Sequence, residues 1–304
     1  MNTRLFFLFL FCVGLFALQI NANAQNPAAA PATLKPQFIV GKTYHFTSGT
    51  GIRMKLVDQP GKTSVIQVEQ KAKLIVNRRP SGEPGVFITA STEGVKFNLT
   101  TVKNKIIFDS SQINAMDTPI GKHFQSSMTR WTKIEVSPEG KLLSRKDGGG
   151  GGAATPLPNL PEIGPEQLQQ LIASLLTNFP AEPVAPGKEW VHKGKTKLGQ
   201  FGEMNFEISN RYSGDQIVDG AAFALIEFTG SIKGDVQIQG GGRANTLGFE
   251  GNKMSGRYFF DKTADIIRAS EQVIVMKIEN EKLPKTTIEQ QITLRLDSME
   301  DNAK

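Results

Sequence analysis

The stretch IQVEQKAKLIV, residues 66–76, decides the fold class of this chain. Its apolar and polar side chains alternate: Ile66, Val68, Ala72, Leu74 and Val76 against Gln67, Glu69, Lys71 and Lys73. Successive side chains of a β-strand point to opposite faces, so the pattern predicts a strand with one apolar face and one face in water. Such a strand is typical of antiparallel sheets, because strands of parallel sheets are buried on both faces.

The same alternation recurs along the chain. It is found at Ile52, Met54 and Leu56, at Val95, Phe97 and Leu99, at Met204, Phe206 and Ile208, and at Ile288, Ile292, Leu294 and Leu296. Turn sequences follow or separate these segments, among them Asp58-Gln59-Pro60-Gly61 and Ser137-Pro138-Glu139-Gly140. We therefore predict a mainly β protein built from hairpins.

One segment has helical periodicity instead. Its apolar residues are spaced three and four positions apart: Leu168, Leu171, Ile172, Leu175, Leu176 and Phe179. Pro165 suits a first helical turn and Pro180 prevents continuation, so an amphipathic helix is predicted over residues 165–180. Residues 147–164, which include five consecutive glycines, are predicted to form a Gly/Pro linker before it.

The linker and the helix separate two β segments that resemble each other, residues 37–146 and 187–298. Gly41-Lys42-Thr43-Tyr44 opens the first and Gly187-Lys188-Glu189-Trp190 opens the second, and each closes with two strands around a polar turn. These parallels predict a divergent duplication, in which a curved antiparallel sheet or half-open barrel carries one helix between its halves. The sequence leaves open whether the halves form one domain or two.

Residues 1–24 have the features of a secretory signal peptide. Arg4 precedes an apolar run from Leu5 to Leu18, and Ala22-Asn23-Ala24 matches a cleavage site. The run is shorter than the roughly 20 residues that a membrane-spanning helix needs. We predict cleavage near Ala24, export to the periplasm or the exterior, and no membrane span in the mature chain. Residues 25–36, rich in Ala and Pro, are predicted to be a disordered tether.

Composition and charge narrow the classes of partner. With 39% hydrophobic and 21% charged residues the chain is expected to fold, and its single cysteine, Cys12, lies in the signal peptide. The net charge is +6, and residues 41–146 carry 17 Lys and Arg against 8 Asp and Glu. This excess either keeps the surface soluble or attracts an anionic envelope component such as a lipid. Export and the lack of an aromatic-flanked basic motif argue against nucleic acid.

The sequence contains no motif that predicts catalysis or cofactor binding. Gly-x-Ser-x-Gly is absent, and the Gly-Lys-Thr triplets at Gly41, Gly61 and Gly194 lack the earlier glycine of a phosphate-binding loop. The histidines are far apart and do not have zinc-site spacing. We predict no catalytic residue, no metal and no cofactor.

Four aromatic residues are the candidate binding residues: Tyr44, Trp131, Phe179 and Trp190. Large rings supply much of the buried area of a β protein, so all four could be core anchors. If the sheet is curved and incompletely filled, the same rings would line an apolar groove.

The order of these features resembles a family of exported bacterial β-rich proteins of unknown function. The shared features are the export signal, the Gly-x-x-aromatic strand at Gly41, the hairpins, the amphipathic helix and Pro186-Gly187-Lys188-Glu189-Trp190. More distantly, the architecture is similar to the half-open β-barrels of periplasmic lipoprotein carriers, whose curved sheet holds a helix against an apolar face. The five-glycine run and the duplication depart from that pattern.

Three functions are compatible with these observations. The preferred hypothesis is a noncatalytic exported protein that binds a hydrophobic or anionic envelope component, a lipid or another amphiphile. The first alternative is a structural or adaptor module that binds another envelope protein. The second is a hydrolase whose active site is dispersed along the sequence.

Overall fold

The computed structural model describes residues 31–59, 61–150, 163–176, 179–197, 203–240, 243–280 and 283–302. The predicted signal peptide, residues 25–30 of the predicted tether and residues 151–162 of the predicted linker lie outside the described residues.

The described chain consists of one twelve-stranded antiparallel sheet and short helices, so the prediction of a mainly β antiparallel protein is confirmed. The strands are β1 (Lys42–Leu56), β2 (Thr63–Arg78), β3 (Val86–Thr100), β4 (Lys105–Asp109), β5 (Arg130–Val136), β6 (Leu142–Gly149), β7 (Glu189–Lys197), β8 (Glu203–Val218), β9 (Ala221–Gly240), β10 (Arg243–Asp261), β11 (Ile266–Asn280) and β12 (Leu283–Asp301). The α-helices are α1 (Pro119–Met128) and α2 (Pro165–Leu176), and a 3₁₀ turn, Ala115–Asp117, precedes α1.

Both predicted β segments contribute to this one open sheet. The strand order is β6-β5-β3-β2-β1-β12-β11-β10-β9-β8-β7, with β4 also paired to β3. The chain therefore runs outward from β1 to the edge strand β6, continues from the opposite edge strand β7, and returns to β12 beside β1. The two segments join along β1 and β12, from the pair Lys42 and Asp301 to the pair Leu56 and Thr286.

The long strands give the sheet two distinct ends. β1 has 15 residues and β9 has 20, so they extend roughly 50–70 Å at about 3.4 Å per residue. We call the end where β1 begins the near end and the end where β1 finishes the far end. The β1–β2, β3–β4, β7–β8, β9–β10 and β11–β12 connections all lie at the far end.

One face of the sheet, here called the inner face, carries the core. Tyr44, Leu74 and Ala90 are opposite one another on β1, β2 and β3, and all three are buried. A register shift between Lys71 and Ala72 adds one residue to β3. Because of this bulge, the residues of β3 that face inward change from even-numbered ones, such as Ala90, to odd-numbered ones, such as Val95 and Phe97. The opposite face, the outer face, carries the polar residues of the alternation.

Residues 31–36, which the composition predicts to be a disordered tether, are ordered. Ala32 pairs with Val184 through two backbone hydrogen bonds, of 2.8 and 2.9 Å, and Leu34 is fully buried. Further along, the Gln37 N–H donates to the Asp265 carbonyl oxygen at 2.7 Å. The tether prediction is wrong here because apolar side chains outweigh the Ala/Pro composition. Proline also lacks an N–H, which leaves fewer donors to satisfy at an apolar surface.

Helix α2 begins at Pro165, the first residue of the predicted helix, and ends at Leu176. Leu168, Ile172 and Leu175 are fully buried in the main core. At its polar surface Arg145 of β6 donates to Gln169 Oε1 at 2.5 Å. Phe179, placed in the helix by the sequence pattern, lies beyond it.

The prediction of a single helix is wrong, because α1 is a second one. Thr118 caps it by accepting from the Gly121 N–H at 2.9 Å, and Pro119 occupies its first turn. Phe124 is fully buried, with ring centroids 5.9 Å from Phe97 and 5.1 Å from Phe108. With one fully buried large side chain in ten residues, α1 has too weak a pattern to be predicted.

The predicted linker also begins too early. β6 extends through Asp147, Gly148 and Gly149, and all three pair with β5. After the undescribed residues, Ile163 is buried in the smaller core beside α1. Both boundaries of the linker are therefore structured.

A histidine bridges three strands on the outer face, at the seam between the two segments. His45 Nδ1 lies 2.8 Å from Glu93 Oε2, and His45 Nε2 lies 3.2 Å from Glu300 Oε1. Burial lowers the pKa of the imidazole. The hydrogen bonds to the two carboxylates and their negative charges raise it by more than burial lowers it, so the net pKa is raised.

We expect the bridging His45 to stabilise the fold more at weakly acidic pH than at weakly basic pH. Because the folded-state pKa of His45 is raised, its contribution is fully present below the unfolded value of about 6.5 and is lost as the pH rises through the folded-state pKa. Urea unfolding from about pH 5.5 to about pH 8.5 should show the advantage of the wild type over His45→Gln shrinking with pH. An advantage that grows with pH would contradict this.

Candidate functional site

The inner face near the far end contains apolar residues that are only half-buried. Ile52 and Met54 of β1, Ile66 of β2 and Ile292 of β12 belong to this group, which we call the β1 patch. Ile52 is directly opposite Ile66, so the patch crosses adjacent strands. Half-exposed aliphatic residues on neighbouring strands give a surface that can bind an apolar ligand.

Methionines continue the patch toward β10. Met54 is opposite Ile288 of β12, and Ile288 is opposite Met276 of β11. Met254 of β10 is opposite Ile274 of β11. Ile288, Met276 and Met254 are buried. Met54 is thus the half-exposed member of this row, whereas the buried methionines lie beside the patch, where an unbranched, polarizable side chain can adjust its packing.

A buried amide interrupts the apolar inner face on β8. Asn210 is 1% exposed, and neither its Oδ1 nor its Nδ2 has a hydrogen-bond partner among the described residues. Its cross-strand neighbours are Trp190 of β7 and Phe228 of β9. An unsatisfied buried polar group costs about 1–3 kcal/mol. The amide can both donate to and accept from the polar group of a ligand.

Three of the four predicted aromatic residues share the inner face. Tyr44 is fully buried and its Oη accepts from the Ile39 N–H at 2.9 Å. Burial raises the pKa of this phenol. Phe179 lies with its ring centroid 5.7 Å from Tyr258, and Trp190 is half-buried against the main core. Tyr44 is thus a core anchor, whereas Trp190 retains exposed area.

Trp131 lies on the outer face, so the structure corrects its predicted place among the groove-lining residues. Trp131 is opposite Ser91 of β3. The buried Thr132 and Ile134 of the same strand face inward, so Trp131, whose number is odd, faces outward. The Lys133 ammonium lies 4.8 Å from its ring centroid. The sequence identifies Trp131 as a large ring but does not give the register that decides its face.

An ionic group lies at the near end of β8 and β10. Tyr212 Oη donates to Asp215 Oδ1 at 2.7 Å, and Lys262 Nζ donates to Asp215 Oδ2 at 2.5 Å. Burial raises the pKa of Tyr212. Burial also favours a higher pKa for Asp215, but its bonds to Lys262 and Tyr212 outweigh this and lower the pKa. Asp215 Oδ1 is therefore bonded within β8, whereas its Oδ2 joins β8 to the β10–β11 turn.

The other two histidines contact aromatic rings. His123 of α1 lies 5.2 Å from the Phe124 centroid, and His192 of β7 lies 5.4 Å from the Phe206 centroid. Burial lowers the pKa of His192. Within the described ranges no three His, Asp or Glu side chains are grouped so that they could hold a metal ion.

A shallow depression of about 420 Å³ lies at the far end of β7, β8 and β9. Its lining includes Lys193, Lys195, Phe206 and Lys233. Lys193 forms an ion pair with Glu207 at 3.1 Å, which also lines it. The depression is therefore cationic around an aromatic ring.

Comparison with known proteins yields structural likenesses only. No protein-family model matches the chain, and no curated protein matches its sequence. Lipovitellin, in a structure of its lipid–protein interactions, is similar with a TM-score of 0.49 and 10% identity, over 88% of this chain and 26% of lipovitellin. The chain thus spans about a quarter of that protein's length.

A second likeness is to the binding domain of botulinum neurotoxin DC, solved in complex with rat synaptotagmin II. Its TM-score is 0.15 at 8% identity, over 84% of this chain and 79% of that one. The predicted membership of a family of exported bacterial proteins, and the predicted likeness to lipoprotein carriers, therefore stay predictions. Neither α1 nor α2 has the length and hydropathy of a membrane-crossing helix.

Proposed function

We propose that this protein is a noncatalytic, exported lipid-binding protein whose inner face takes up the apolar chain of an amphiphile. The observation that carries the proposal is the β1 patch, where aliphatic and thioether side chains of neighbouring strands stay half-exposed beside the core. Transferring an apolar chain from water to such a surface is favourable by about 25 cal/mol per Å². Export rests on the predicted signal peptide.

Asn210 lies on the same face four strands from β12, about 19 Å away at the usual strand spacing, and we propose that it binds the polar end of an amphiphile whose chain spans this distance. An amphiphile needs an apolar surface for its chain and a hydrogen-bonding group for its head. Asn210 offers an uncharged donor and acceptor between Trp190 and Phe228. Because the amide is neutral, it suits an uncharged ester, amide or hydroxyl group better than an ionised one.

Uptake of the neutral fluorophore N-phenyl-1-naphthylamine tests the proposal. The purified protein should raise the fluorescence of the probe as it leaves water. Replacing Ile52 and Met54 by glutamine in one variant should weaken uptake by at least about tenfold, since each apolar side chain contributes up to a few kcal/mol. A natural lipid should displace the probe from the wild type.

Lys55→Gln is the matched control, because Lys55 follows Met54 on the same strand but is exposed on the opposite face. It should bind the uncharged probe as the wild type does. No fluorescence rise with the wild type, or equal rises with the wild type and the double variant, would contradict lipid binding at the β1 patch.

A further inference from the structure

The far end of the sheet carries exposed cations on its hairpin tips. On the β1–β2 hairpin these are Arg53, Lys55 and Lys62. The β3–β4 hairpin presents Lys103 and Lys105, and residues 101–107 contain no acidic residue. Asp58 also lies on the first of these tips, but the five cations outnumber it, so hairpins that are distant in sequence bring a net positive charge to one end of the molecule.

The same two tips expose aliphatic side chains. Val57 is 52% exposed and Val102 is 64% exposed. The β3–β4 turn is closed by a hydrogen bond from the Thr101 N–H to the Asn104 carbonyl oxygen at 2.8 Å. Val102 and Lys103 therefore occupy the outermost positions of this turn. An apolar side chain beside cations at a loop tip fits the interface of a bilayer.

The second segment adds cations at the same end. Lys285 lies beside the β1–β2 tip, because the Val57 N–H donates to its carbonyl oxygen at 2.8 Å. Lys277 on β11 is exposed as well. At the edge of the sheet, Lys193 and Lys233 line the depression on β7 to β9. The positive surface therefore extends beyond the basic first segment.

The near end differs in charge. Asp219 lies in the β8–β9 turn, Asp261 and Asp265 flank the β10–β11 turn, and Glu300 and Asp301 end β12. Near-end cations such as Lys141 and Lys188 offset these carboxylates, so the near end lacks the net positive charge of the two far-end tips, and a molecule with such an uneven charge orients in the field of a charged surface. The far end would face an anionic surface.

We propose that the far end docks on an anionic lipid bilayer through the β1–β2 and β3–β4 tips, with Val57 and Val102 entering the headgroup layer. Each Lys or Arg near an anionic membrane strengthens the attraction to it. Ile52 and Met54 lie on the arm of the β1–β2 hairpin, so docking would bring the β1 patch next to the bilayer. The inference extends the proposed function by naming its partner, but docking does not require lipid uptake.

Flotation with vesicles tests the docking. The purified protein should float with phosphatidylcholine vesicles containing about 30% phosphatidylglycerol, remain unbound with pure phosphatidylcholine, and dissociate as salt is raised. Replacing Lys103 and Lys105 by glutamate should weaken binding at least about tenfold. Val102→Asn should weaken binding with little change in its salt dependence.

A variant with the same charge change at the near end is the control. Lys141 and Lys188 are exposed in connections at that end, and replacing both by glutamate should leave binding within about twofold of the wild type. Ile217→Asn, in the near-end β8–β9 hairpin where Ile217 is 76% exposed, is the control for Val102→Asn. Equal losses from near-end and far-end variants, equal binding to neutral vesicles, or no vesicle binding would overturn the proposal.

Fluorophore uptake separates this inference from the proposed function. The far-end charge variant should take up N-phenyl-1-naphthylamine as the wild type does, because its inner face is unchanged. Vesicle binding without uptake would support docking and contradict lipid binding at the β1 patch. Uptake without vesicle binding would support lipid binding at the β1 patch and contradict docking.

Discussion

Ile172→Ala is expected to lower the free energy of unfolding by about 2–5 kcal/mol. Ile172 is fully buried at the centre of the apolar face of α2, between Leu168 and Leu175. The substitution removes apolar area and leaves a cavity that the sheet can fill only in part. The loss should appear as a lower midpoint in urea unfolding with an unchanged slope.

Gln170→Ala provides the control, since Gln170 is exposed on the same helix and alanine favours helix formation. Its effect should stay within about 0.5 kcal/mol of the wild type. A loss below about 1 kcal/mol for Ile172→Ala would mean that α2 is not docked on the sheet. The near end of the inner face would then be an open groove rather than a core.

Gly256→Val is expected to destabilise the protein by about 1–3 kcal/mol, with larger losses possible if the strands cannot separate. A Cβ at Gly256 would collide with the Glu271 carbonyl oxygen and with Cζ of Phe228. The Phe228 ring also stacks on Tyr258, with centroids 4.9 Å apart. The added side chain therefore has to move a backbone or an aromatic pair.

Gly51→Val makes the same change on β1, where a Cβ would meet no atom within 4 Å. A β-branched residue favours strands, so this variant should be neutral or slightly stabilising. The difference between the two midpoints in thermal or urea unfolding measures the close approach at Gly256. Equal effects of the two substitutions would contradict the packing of Phe228 over β10.

Strands were the part of the fold that sequence reasoning could predict well. The stretch from Ile66 to Val76 lies within β2, and the alternation from Ile288 to Leu296 lies within β12. The reason is that a half-buried strand must alternate along its own sequence. α2 was predictable for the same reason, because its buried stripe is local.

The candidate site was predicted only in part. Phe179 and Trp190 were identified as large rings and do lie on the inner face, but Trp131 does not. Met54, Met254 and Asn210 were not predicted, since their significance depends on which residues stand opposite them. Asn210 in particular has no sequence signature, because a single asparagine in a strand is ordinarily exposed.

The position of the positive charge was likewise predicted only in part. The sequence assigned the basic excess to residues 41–146, whereas the structure also places cations of β7, β9, β11 and β12 at the far end. Antiparallel hairpins of similar length return every second connection to the same end of a sheet. Charged residues that are far apart in the chain therefore lie at the same end of the strands.

Taken by itself, the sequence determined that this chain forms antiparallel strands and one amphipathic helix, because both patterns are set by side-chain direction over a few residues. Only the tertiary structure decided that the two segments share one sheet through β1 and β12, that residues 31–36 pack on the core, and that Trp131 faces outward. These features depend on strand partners and register, which are fixed by contacts between residues far apart in the chain.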